Sequence, residues 1–191
     1  MVTVIAFHSV LGLRPGVLDF AETLRGDGHT VYTPDLWDGI VYDTMADALA
    51  HRDRLGMSEI IGRSIAAVAE LPSDSVYLGY SLGAACAQLA AQTRPGARGA
   101  VLFHGVLTMG EAGAPWPAGV PVQAHTMDHD GWVDLEETRA TIAGIAAVAP
   151  AELFVYPGSG HLFTDPDSAD FDAGATAAAH SRVRAFLAAL D

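Results

Sequence analysis

Ser81 stands between two glycines, in Gly79-Tyr80-Ser81-Leu82-Gly83. The apolar run Val76-Tyr77-Leu78 before it has the character of a strand, and the Ala-rich stretch from Ala84 to about Thr93 after it that of a helix. Strand, G-x-S-x-G, helix is the nucleophile-elbow pattern, which carries a serine hydroxyl on a sharp turn above a sheet edge. A turn that tight holds the serine at strained angles and leaves no room for a Cβ two residues before and after it. The hydroxyl could attack a carbonyl carbon, with the first amides and the dipole of the new helix favouring the negative charge that develops. The competing role is a helix cap, which serine fills well. The flanking strand and helix favour the chemical role.

A serine hydroxyl needs a base, and the base needs an acid to orient it. In an elbow fold these partners follow in the order serine, acid, histidine, each beyond the end of a later strand. The apolar segment Val120 to His125 is followed by Asp128, Asp130 and Asp134; the segment Leu153 to Tyr156 is followed by Gly158-Ser159-Gly160-His161. His161 is therefore the candidate base. Asp134, with Glu137 three residues on, reads as a helix cap, which leaves Asp128 and Asp130 as candidate acids that spacing alone does not separate. Of the eight histidines, His8 and His104 lie at strand ends but precede the acids. His29, His51 and His180 read as surface or boundary residues, and His125 and His129 show no metal-ligand spacing. The chemistry calls for no metal and no cofactor. An oxyanion would need two donors: the Leu82 amide, and one from the loop Ser9 to Gly12.

The rest of the chain supplies elements to hold these groups. Val2 to Phe7 reads as a buried strand. Pro15 suits the first position of a helix, whose apolar face is Val17, Phe20, Ala21 and Leu24. His29 to Thr33 reads as a second strand. A helix around Met45 to Arg54 or a pocket-lining excursion fits the next stretch, and Ser58 is expected to cap a helix with Ile61, Ile65 and Val68 inward. Arg98 to His104 reads as a strand, Thr108 to Gly119 as a loop, and Leu135, Thr138, Ile142 and Ile145 as an inner helix face. Val183, Phe186, Leu187 and Leu190 mark a last amphipathic helix. Alternating strands and helices predict an α/β fold: a mostly parallel sheet of about six to seven strands with helices on both faces. One domain, 1–191, accounts for the length.

Half of the 191 residues are apolar and the net charge is −13, a balance that repels nucleic acid and anionic membrane. There are ten Arg and no Lys, which excludes a Schiff-base mechanism. The single cysteine, Cys86, cannot form an internal disulfide and reads as a small core residue. With no apparent signal peptide or membrane span, a cytoplasmic location is the expectation. Oligomeric state is not readable.

Together these stretches resemble the dienelactone hydrolase family of α/β hydrolases. The likeness rests on Ser9-Val10-Leu11-Gly12 after the first strand, Thr33-Pro34-Asp35-Leu36, the elbow, the acid loop His125 to Val133, and Tyr156-Pro157-Gly158-Ser159-Gly160-His161. The resemblance implies a minimal α/β-hydrolase fold without a large lid. It implies Asp130 rather than Asp128 as the acid, and the Val10 amide as the second oxyanion donor. Two departures stand out. The family's best-known members have a cysteine where this chain has Ser81, and a glutamate where it has Ser9; without a thiolate to generate, that acid loses its purpose. The expectation is a serine hydrolase of small carboxylic esters or lactones, a small molecule being its partner. Acyl thioester cleavage with the same residues, or a silent binding domain, are the alternatives. Trp37, Trp116, Trp132 and Phe163 are candidate walls of a small, partly apolar pocket.

Overall fold

The computed structural model describes residues 1–191. In chain order the elements are β1 (Thr3–Phe7), α1 (Pro15–Gly26), β2 (Thr30–Tyr32), α2 (Met45–Leu55), α3 (Met57–Val68), β3 (Val76–Tyr80), α4 (Leu82–Thr93), β4 (Gly99–Phe103), α5 (Met109–Ala112), β5 (Val122–Met127), α6 (Leu135–Ala146), β6 (Ala151–Tyr156) and α7 (Ala173–Ala189). The six strands form one sheet in the order β2-β1-β3-β4-β5-β6, and every pairing is parallel. The middle strands β3 and β4 are buried along their whole length. That explains their unbroken apolar runs: a parallel sheet covered on both faces has no solvent side to alternate with.

Two apolar clusters lie on opposite faces. One gathers Ile5, Phe7, Tyr77 and Leu102 against Ala48, Ile60, the alanines of α4, and Ile142 and Ile145 of α6. The other gathers Val4, Ala6, Leu78 and Phe103 against Val17, Phe20, Ala21 and Leu24 of α1 and Ala179, Val183 and Leu187 of α7. The connections thus wind outward in two directions from the β1–β3 pair. At such a reversal the strand ends open a crevice, the general location of sites in open α/β sheets. Ser81 sits on it, directly after β3.

Pro15 opens α1 as expected, and Asp134 caps α6 by accepting from the Glu137 amide at 2.9 Å. Two local expectations are corrected. α3 starts at Met57 after Gly56, with no side-chain cap, so Ser58 lies inside the helix. Its buried face is Ile60, Ser64 and Val68, while Ile65 is exposed. Ser64 turns inward because its hydroxyl is satisfied by the Ile61 carbonyl (2.9 Å) and a small residue suits close packing against the Ala-rich α4. The stretch Thr108 to Gly119 also holds a short helix, α5, closed by a reciprocal capping box between Thr108 and Glu111.

Candidate active site

The bend between β3 and α4 puts Ser81 at φ 53°, ψ −112°, a conformation costly for any residue but glycine. The flanking glycines are steric necessities. A Cβ on Gly79 would lie 2.0 Å from the Gly83 carbonyl oxygen, and one on Gly83 would lie 2.3 and 2.4 Å from the carbonyl oxygens of Phe7 and His8. The second contact also fixes the start of α4 against the end of β1, bringing Leu82 beside the loop that contains Val10.

Two loops come to Ser81 from farther along the sheet. After β6, His161 points its Nε2 at Ser81 Oγ, 2.8 Å away. After β5, Asp130 Oδ2 accepts from His161 Nδ1 at 2.8 Å. Both side chains are nearly sealed from water. The second oxygen of Asp130 accepts from the Trp132 amide at 2.9 Å, so both its oxygens are held. Asp128 is engaged elsewhere: it accepts from the Gly158 amide at 2.8 Å and ties the acid loop to the histidine loop. The histidine loop has anchors of its own. Gly160 packs so closely that a Cβ there would lie 2.4 Å from the Asp170 carbonyl oxygen. Buried Arg14 pairs with Asp165 at 3.1 Å.

On the other side of Ser81, the amides of Val10 and Leu82 donate to no protein acceptor. The loop bearing Val10 is held from behind. Trp37 Nε1 donates to the Val10 carbonyl (2.8 Å), the Tyr42 amide donates to that of Leu11 (2.9 Å), and the Leu11 amide donates to Ser9 Oγ (3.2 Å). His8 braces the same loop: its Nδ1 lies 2.7 Å from the Ser9 carbonyl and its Nε2 accepts from the Leu36 amide. Burial pushes the His8 ring below its ordinary pKa, which suits a neutral donor–acceptor bridge.

The dienelactone hydrolase family model matches residues 1–190. The chain belongs to the dienelactone hydrolase family. Membership makes it a carboxylic ester hydrolase by class. No curated protein matches it in sequence. Among solved structures it is similar to a dienelactone hydrolase-like promiscuous phosphotriesterase from metagenomic libraries, with TM-score 0.79, 21% identity, and 100% of this chain and 87% of that one covered. It is also similar to a thermophilic esterase of Thermogutta terrifontis with propionate bound, with TM-score 0.70, 17% identity, and 99% and 83% covered. A dienelactone hydrolase of Anabaena variabilis gives TM-score 0.66 at 18% identity, with 98% and 86% covered. At such identities these likenesses show the fold.

In this member of the dienelactone hydrolase family an open cleft of about 280 Å³ lies over Ser81 and His161, with no separate lid. Its walls are the segment after β4 (His104 to Leu107), α5, and the start of α6. Of the four aromatics expected there, only Trp132 borders the cleft; it is 59% exposed. Trp37, Trp116 and Phe163 are corrected to packing residues, buried to 5% exposure or less. The two indoles satisfy their N–H on the carbonyls of Val10 and Val120, which lets them sit inside the fold. Glu111 and Glu137, also on the cleft, went unremarked as site residues. For Glu111 a signal was present, since Thr108-Met109-Gly110-Glu111 spells a capping box. Cys86 is no rival nucleophile: it is buried, and burial pushes its thiol up to about 11. No cluster of three or more His, Cys, Asp or Glu side chains has a metal-holding arrangement, and no helix is long and apolar enough to cross a membrane.

Proposed function

We propose that the protein hydrolyses small carboxylic esters or lactones through a Ser81–His161–Asp130 triad and an acyl-enzyme intermediate. The observation that carries this reading is the unbroken chain of two 2.8 Å contacts, Ser81 Oγ to His161 Nε2 and His161 Nδ1 to Asp130 Oδ2. Ser81 adds to the carbonyl carbon as its proton passes to Nε2. Asp130, already bonded to Nδ1–H, stabilises the imidazolium. The Val10 and Leu82 amides receive the oxyanion, each such donor being worth about 3 kcal/mol in related chemistry. Collapse expels the alcohol, which takes the proton from Nε2, and leaves Ser81 acylated. Water then repeats the sequence: its proton goes to Nε2, its oxygen adds to the acyl carbon, and collapse returns the proton to Ser81 and releases the acid.

The open cleft and absent lid suit a short acyl group. A panel of p-nitrophenyl acetate, simple lactones and acyl thioesters, with Ser81→Ala as control, tests the reading. Ester or lactone turnover lost in Ser81→Ala supports it; thioesters alone being cleaved would move it to the thioesterase alternative. No turnover and no fluorophosphonate adduct at Ser81 would sink it in favour of a silent domain.

A further inference from the structure

Charge is distributed unevenly around the cleft. Three carboxylates border it, Glu111, Asp134 and Glu137, and none of them is in a salt bridge. The chain has no Lys, and none of its ten Arg reaches the cleft. Arg14 is buried against Asp165, and Arg63 is held by Glu59 and Asp38. His104 on the cleft wall supplies no positive charge either, because burial holds its ring neutral. The α6 N-terminus nearby has its dipole offset by its own cap, Asp134. The exposed indole of Trp132 borders the same cleft, beside His161 at 5.7 Å between ring centroids. A cleft that combines an exposed aromatic ring with carboxylates lacking any cationic partner is an environment for a cation and a poor one for an anion.

We propose that the cleft selects esters carrying a cationic group, of the quaternary-ammonium class, and rejects esters carrying a carboxylate. This rests on the Ser81 reading for turnover but not for binding. The positive group would lie in the part of the cleft bordered by Trp132, Glu111 and Glu137 while the ester carbonyl reaches Ser81. A carboxylate in that place would meet three like charges and no counter-ion. The negative net charge of the whole chain acts in the same direction at longer range.

Three acetate esters with different alcohols test this: acetylcholine, its neutral isostere 3,3-dimethylbutyl acetate, and 3-acetoxypropionate. Each kcat/KM is divided by the spontaneous hydrolysis rate. The expected order is cationic over neutral over anionic, with about tenfold between the first two, and a gap that narrows as salt is raised from about 0.01 to about 0.5 M. Glu137→Gln should shrink the cationic-to-neutral ratio about threefold. Equal rates, or a preference for the anionic ester, would overturn the proposal while leaving the hydrolase reading intact. Calorimetry on Ser81→Ala with choline and with 3-hydroxypropionate reads the same preference without turnover. Choline binding about tenfold tighter supports it, and equal or reversed affinity overturns it even if no ester is cleaved.

Discussion

His161 and the trio His104, His125 and His180 are buried or half-buried histidines in neighbouring parts of one molecule, yet their surroundings differ in kind. His161 has a hydroxyl on one ring nitrogen and a carboxylate on the other. His104 meets Thr164, His125 meets Tyr156, and His180 stacks on Phe20; each of the three has a buried nitrogen without a hydrogen-bond partner. Burial pushes His180 down to about 4, His125 to about 3 and His104 well below its ordinary value. Without a carboxylate, a buried imidazole becomes a neutral spacer packed among aromatic rings. With one, it can take up a proton in place. Partners, not burial, set the proposed base apart from the core histidines.

The largest effect expected from breaking this contrast comes at Asp130. Asp130→Asn should lower kcat about 10⁴-fold, the scale of removing the orienting acid from such a triad. Asp128→Asn, which weakens the bond to the Gly158 amide and the exposed pairing with His129, should cost less than about tenfold, the scale of one hydrogen bond. Equal losses at the two positions would erase the distinction between them.

A smaller effect should come from the opposite side of Ser81. Trp37→Phe removes the N–H that pins the Val10 carbonyl and should reduce kcat about tenfold with KM little changed, because in the proposed mechanism the donor it steadies acts on the transition state. A matching rise in KM with kcat untouched would mean that Trp37 shapes binding instead.

The smallest effect on catalysis, and a clear one on stability, should come from the neutral trio. A histidine whose folded pKa lies below its ordinary value of 6.5 binds no proton in the folded state where the unfolded chain binds one. Stability is therefore full above about pH 6.5 and falls as pH drops toward 4, each such group contributing about 1.4 kcal/mol per pH unit within that window. His125→Phe should leave kcat within about twofold and reduce the acid slope by about one such increment. Urea unfolding at pH 6.5, 5.5 and 4.5 measures it. An unchanged slope would mean that His125 titrates alike in both states.

Much of this arrangement was legible before the fold was known, because its parts are local. The elbow is legible in five residues, since only glycine fits at 79 and 83 when the backbone doubles back so closely. α1 announces itself through Pro15 and one apolar stripe. What was not legible depends on contacts between distant segments. The pair Ile60-Ile61 supports two helix faces one residue apart, and packing against other elements settles which one turns inward, burying Ile60, Ser64 and Val68 and leaving Ile65 exposed. Trp37 and Trp116 looked like pocket walls because the carbonyls that satisfy their N–H groups lie on other loops or turns. The acidic rim of the cleft is likewise a product of folding: Glu111 and Glu137 are 26 residues apart and border one opening only because α5 and α6 flank it.

The most direct measurement is a paired assay of the parent and Ser81→Ala, following p-nitrophenyl acetate hydrolysis and intact mass after a fluorophosphonate probe. The account predicts an adduct on Ser81 in the parent, none in the variant, and a loss of turnover of at least about 10⁴-fold in a protein that keeps its melting temperature. A variant that hydrolyses the ester as fast as the parent, or a parent labelled at some other residue, would contradict it.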